Sequence, residues 1–223
     1  GGRFDMAKPR AFPVFQAASA ARRLDAALTF LRQCPVDQPL TIVAASRVAA
    51  DELARRLAAE RGASFGLARY SLTQLAARAS VARLGGRGIA PSTGLGVEAV
   101  AARAAFEARG SAALVYFDVV SRTPGFSRAL AHTLTDLRSA GVAPLTLALA
   151  GEAGQDLGWL LEKAGEEFVQ ASTADRALLF AAATDTVSAL TDLRAPLLLL
   201  DVSVDAPAEA QEARGNLAIA QLV

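Results

Sequence analysis

The chain has 223 residues, 52% of them hydrophobic, with a mean hydropathy of +0.30 and a formal net charge of +1. That is ample apolar material for the core of one larger domain or two small ones, and no apolar run approaches the roughly 20 residues a membrane span needs. Residues 1–13 lack the apolar stretch of a secretory signal, and a single cysteine, Cys34, excludes an intrachain disulfide and a cysteine-based metal cluster, so the expectation is a soluble protein of a reducing cytoplasm.

Residues 11–17, AFPVFQA, are expected to form a short buried strand, after which Leu24, Ala27, Leu28 and Leu31 recur at helical spacing up to Cys34-Pro35. Residues 40–46, LTIVAAS, read as a second strand. It leads into a helix with Ala49, Ala50, Leu53 and Leu57 on its apolar face, Asp51, Glu52, Arg55 and Arg56 on its wet face, and Gly62 as its stop. A third strand is expected near residues 66–70, then a helix, SLTQLAARASVARL, for which Ser71 is a suitable N-cap, before a break at GGRGIAPSTGLG.

From Val97 to Leu193 the pattern is helix after helix. Phe126, Leu130, Leu134 and Leu137 mark one face, closed by Gly141 and Pro144; Leu157, Leu160, Leu161, Ala164 and Phe168 mark the next, and a third helix is expected over 175–193. A strand returns at 196–201, and Pro207 opens a last helix. Strands alternating with helices imply a parallel sheet with right-handed crossovers. The expected organisation is an α/β domain over 11–84 plus 194–223, interrupted by a helical insertion over 85–193, with a sheet left incomplete at Val223 as in a portion of a larger protein.

Four stretches, taken in order, carry a resemblance: LTIVAASRVAADELARRLAAERG, GLARYSLTQLAARA, TPGFSRALAHTLTDLRSAGVAP and LLLLDVSVDAPAEAQ. Together they resemble the P-loop NTPase (RecA-like) first domain of superfamily I, UvrD/RecB-like helicases, most closely the degenerate version at the N-terminus of AddB- and RecC-like subunits. The third stretch is similar to a helix of that family's insertion subdomain, and the fourth sits where the DExx-box strand belongs.

An active member carries G-x-x-x-x-G-K-[ST] after its first strand, because glycines let backbone N–H groups wrap the phosphates while the lysine and hydroxyl engage phosphate and magnesium. This chain has QAASAARR over 16–23, with Arg22 in the lysine's place and Arg23 in that of the hydroxyl. Asp201 stands at the magnesium-acid position, but Val202 replaces the glutamate that polarises the attacking water, Val204 replaces a glutamine, and Asp205 keeps the final acid. The resemblance thus implies a vestigial nucleotide site at Arg22, Arg23, Asp201 and Asp205, with no hydrolysis, cofactor or metal. On the residues alone, Asp201 and Asp205 are a strand-end acid and an N-cap ahead of Pro207, with residual metal binding as the alternative.

Single-stranded DNA is the implied partner of Ser46, Arg47, Arg69, Tyr70 and Ser71, since hydroxyls and guanidiniums bind phosphate and a tyrosine face stacks a base. The rival reading makes Ser46 and Ser71 helix N-caps and Tyr70 a core residue. Charge permits a polyanion: residues 1–150 carry 19 basic and 10 acidic side chains against 4 and 12 in 151–223, although a compositional bias to arginine and alanine produces the same excess. His132 is read as a partly buried helix residue without a catalytic role, Cys34 as unreactive, and Trp159 as core. The resemblance further implies a motor subunit of AddA/RecB type as partner, double-strand-break repair and recombination as the process, and a PD-(D/E)XK nuclease domain downstream. The alternatives are an ATP-binding helicase subunit with an aberrant P-loop, or an unrelated α/β scaffold with continuous βαβ units through 97–193.

Overall fold

The computed structural model describes residues 15–62, 66–186 and 196–202. In chain order the elements are α1 Ala20–Gln33, β1 Leu40–Ala44, α2 Arg47–Arg61, β2 Leu67–Ser71, α3 Leu72–Gly85, β3 Ala90–Pro91, α4 Gly94–Gly110, a 3-10 turn Val120–Arg122, α5 Phe126–Ser139, α6 Pro144–Ala148, α7 Glu152–Gln170, β4 Thr173–Ala174, α8 Arg176–Thr186 and β5 Leu197–Leu200. The protein is mixed α/β and divides into two compact units, residues 15–75 with 196–202 and residues 76–186, the division falling within α3.

The first unit holds a three-stranded, wholly parallel sheet in the order β2-β1-β5, with Ala44 level with both Ser71 and Leu200. β1, LTIVA, is buried along its whole length, as a near-continuous apolar run must be when both faces of a parallel sheet are covered. Ala27, Leu28 and Leu31 of α1 and Ala50, Leu53 and Leu57 of α2 pack with Ile42 and Leu198 into one core. Side chains as fully enclosed as Leu31, Leu53 and Leu57 contribute about 2 kcal/mol each. Gly62 ends α2 at φ +79°, its N–H donating 2.8 Å to the carbonyl of Ala58, a left-handed stop that a side chain would strain.

Arg32 joins α1 to α2 through a two-pronged pair with Glu60, Nε to Oε2 at 2.7 Å and Nη2 to Oε1 at 2.8 Å. The donating Arg32 guanidinium holds the Glu60 carboxyl below the ordinary carboxylate range. A carboxylate depressed on folding stabilises above its unfolded pKa, about 4.3, and loses that contribution as pH falls through the lower folded value. Wild type and Glu60→Gln should therefore differ in urea midpoint near neutrality and converge as the pH falls through the lowered folded value, which a midpoint-against-pH series checks.

The second unit is built on helices. Val100, Ala101, Ala104, Ala105 and Ala108 of α4 meet Leu130 and Leu134 of α5 and Leu160, Leu161, Ala164 and Phe168 of α7 in one buried cluster. The alanine-rich face of α4 lets the helices approach closely. Asp156, 2% exposed within α7, accepts the N–H groups of Val115 at 3.1 Å and Phe117 at 2.9 Å, so a buried carboxylate fixes the loop between α4 and α5. The continuous βαβ pattern of the scaffold alternative does not appear in the described part of 97–193. Its only strand there is the two-residue β4, paired in parallel with β3.

Several expectations need correction. Phe15, Gln16 and Ala17 form no strand; Phe15 is 58% exposed, and the Ala17 carbonyl accepts from Arg23 instead of a neighbouring strand. Residues 11–14 of that expected strand lie outside the described residues, as do Val204, Asp205, Pro207 and the end of the helix expected over 175–193. His132 is exposed rather than partly buried. It stands two residues from both Leu130 and Leu134, about 200° round the helix from the buried stripe. The short helix α6 and the β3–β4 pair carry too little periodicity to be read from sequence. Trp159 packs half-buried against the α4, α5 and α7 core.

Candidate site at the carboxyl end of the sheet

Open parallel sheets present ligand sites at the carboxyl ends of their strands, where loops diverge. Here that end gathers the exits of β1, β2 and β5, and with them the described residues expected to carry function. Ser46 and Arg47 follow β1, Arg69, Tyr70 and Ser71 lie on β2, and Asp201 follows β5.

Both serines act as caps. Ser46 Oγ accepts from Ala49 N–H at 3.1 Å and opens α2. Ser71 Oγ accepts from Gln74 N–H at 3.3 Å while Gln74 Oε1 accepts from Ser71 N–H at 3.1 Å, a reciprocal capping box for α3. Tyr70 is half-buried. The two arginines converge on one acid of α2, Asp51. Arg47 Nε donates to Asp51 Oδ1 at 3.1 Å and Oδ2 at 3.2 Å, and Arg69 Nη1 lies 3.3 Å from the same Oδ1. The i,i+4 spacing of Arg47 and Asp51 was a visible signal, but nothing local joins Arg69 to either.

On the other side of β1, Arg23 Nε donates to Asp201 Oδ1 at 2.5 Å and Nη2 to Oδ2 at 3.2 Å, while Nη1 donates to the carbonyls of Ala17 at 2.6 Å and Ala18 at 3.1 Å. Asp201 adopts φ +52°, a left-handed conformation that aspartate tolerates better than most side chains. Four oxygens, two carboxylate and two carbonyl, thus surround one guanidinium. In the residues where a phosphate cradle would need inward N–H donors, this loop turns two carbonyl acceptors toward a cation. A cavity of about 760 Å³ lies beside this cluster, lined among others by Arg22, Arg23, Thr29, Phe30, Leu198 and Asp201. Asp205, expected as the second acid, lies outside the described residues.

Cys34 caps α1 half-buried, its Sγ 3.6 Å from the Phe30 carbonyl, and burial pushes its thiol above the ordinary range against the pull of Arg61. Less thiolate means a poorer nucleophile. Among the described residues no three His, Cys, Asp or Glu side chains come together as a metal-ligand group, and no helix is long and apolar enough to cross a membrane. Compared with models of known protein families and with curated proteins, the chain matches none.

Proposed function

We propose that this chain is a non-hydrolysing, helicase-like module that guides a DNA strand across the carboxyl end of its sheet. Arginines placed beside the exits of all three strands carry the reading: Arg23 at Asp201 after β5, and Arg47 with Arg69 at β1 and β2. The parallel sheet with a long helical block between β2 and β5 is compatible with the P-loop NTPase architecture implied by the resemblance. The lost phosphate-binding motif and the absent water-polarising glutamate, Val202 in its place, support a role without hydrolysis. The setting is an AddB/RecC-like helicase-nuclease in break repair, docked to a motor subunit.

The test is fluorescence anisotropy of a labelled single-stranded oligonucleotide at two salt concentrations. Wild type should bind, more weakly as salt rises, because neutralising backbone phosphates releases counterions. Arg47→Glu/Arg69→Glu should lose at least about tenfold in affinity, the equivalent of two charge-assisted contacts. Retained binding in that variant would overturn the assignment of the surface. In parallel, millimolar Mg-ATP should leave the melting temperature unchanged. A ligand at a hundred times its dissociation constant adds about 2.7 kcal/mol, so a clear upward shift would favour the aberrant P-loop reading.

A further inference from the structure

Two guanidiniums sharing one carboxylate have the arrangement in which a pair of arginines grips a single phosphate. Asp51 Oδ1 and Oδ2 both receive Arg47 Nε, at 3.1 and 3.2 Å, and Oδ1 lies 3.3 Å from Arg69 Nη1. The three side chains are 43%, 34% and 39% exposed for Arg47, Asp51 and Arg69, so the cluster is open to solvent. The next acid on α2, Glu52, is committed elsewhere, to Arg55 and Arg56. The cluster therefore carries a local charge of +1 with its anion in place, and +2 once that anion leaves.

We infer that Asp51 is an internal stand-in for a phosphate: it pre-sets the Arg47 and Arg69 guanidiniums and yields them when a DNA phosphate arrives. This rests on the DNA-contact reading above and adds a device that tunes it. The exchange is set by relative strengths. Exposed carboxylate pairs are weak and screened by salt. A backbone phosphate offers the same two-oxygen geometry to guanidiniums, and its binding also releases condensed counterions. Asp51 thus keeps two like charges together in the empty protein, at the cost of competing for them.

The test uses the whole chain and a fluorescein-labelled oligothymidylate, with Asp51→Asn, Asp51→Ser and a charge-matched control, Glu52→Gln. Both Asp51 variants should bind about fivefold more tightly at low salt, the reach of one exposed ion pair. Their plots of log affinity against log salt should steepen by up to roughly 0.7, because no displaced carboxylate then takes back a counterion of the kind that one phosphate contact releases. Glu52→Gln should stay at wild type in both readouts, and circular-dichroism melts establish that each variant is folded.

If folded Asp51 variants bind more weakly than wild type, Asp51 only orients the arginines and the inference is overturned. The same holds if they merely match Glu52→Gln, since long-range charge then accounts for any change. Tighter binding confined to the Asp51 variants supports it, as does binding that emerges only in them. Wild-type binding that is lost in Arg47→Glu/Arg69→Glu but insensitive to Asp51 keeps the DNA reading and removes only the stand-in. No binding by wild type or either Asp51 variant removes both.

Discussion

Asp175→Ala should destabilise the helical unit by about 3 kcal/mol, the low end of the range for removing one partner of a buried ion pair, because Asp175 is buried while Arg138 keeps 25% of its side chain exposed. Asp175 is 4% exposed and makes two contacts that alanine cannot replace. Its Oδ1 accepts the N–H of Leu178 at 3.0 Å and caps the first turn of α8, a role worth about 1 kcal/mol. Its other oxygen receives Arg138 Nε from α5. That guanidinium also lies over the Phe168 ring, 5.2 Å from its centre, which confines it beside the α7 core. Alanine would leave the cation without its anion and with limited access to water. At roughly 2–4 °C per kcal/mol for a chain of this size, the melting temperature should fall by about 10 °C. Asp175→Asn keeps a cap acceptor and loses the ion pair, so it should fall between the two. A loss under about 1 kcal/mol for alanine would show that Arg138 re-solvates freely.

The second large effect is steric. Gly154 and Gly158 occupy one face of α7, where α6 lies against it. A Cβ on Gly158 would come 2.7 Å from the Pro144 carbonyl oxygen, and one on Gly154 would overlap the Leu147 carbonyl oxygen. Helix propensity alone favours alanine over glycine by about 1 kcal/mol. The obstacle is backbone, which cannot rotate aside, and overpacking costs of about 1–3 kcal/mol per site are expected to outweigh propensity. Gly154→Ala should therefore destabilise by about 2 kcal/mol or more, with α6 released from α7. Gly165→Ala is the control. It lies on the same helix, but its Cβ would meet a side-chain tip, Arg138 Nη1, at 3.3 Å, so a shift of a few tenths of an ångström suffices where Gly154 faces backbone. Urea unfolding of the three variants, with proteolysis probing α6, checks the contrast. Equal effects at Gly154 and Gly165 would place the cause in the helix rather than in its packing.

What was legible in advance was local. The buried run LTIVA, the apolar stripes of α2, α5 and α7, the left-handed stop at Gly62 and the caps at Ser46 and Ser71 each depend on neighbours within a few residues. Their physics is that of single elements: which face is apolar, which side chain can bond the nearest free N–H. The same local logic does not hold at Phe15–Ala17, an apolar stretch that forms no strand, nor at His132, which neighbours buried leucines in sequence but stands on another face of the helix.

By itself, the sequence determined the longer helices, the strands of the parallel sheet and the residue types at each strand exit, because hydrophobic period, caps and glycine stops act over a turn or two of chain. Only the tertiary structure decided their partners. It paired β1 with β5 across the helical unit, closed Arg23 onto Asp201 from 178 residues away, brought Arg69 to the acid that Arg47 already held, and set α6 against two glycines of α7. A charged side chain's partner depends on which loops the parallel sheet brings to one end, and the spacing of residues along the chain carries no record of that distance.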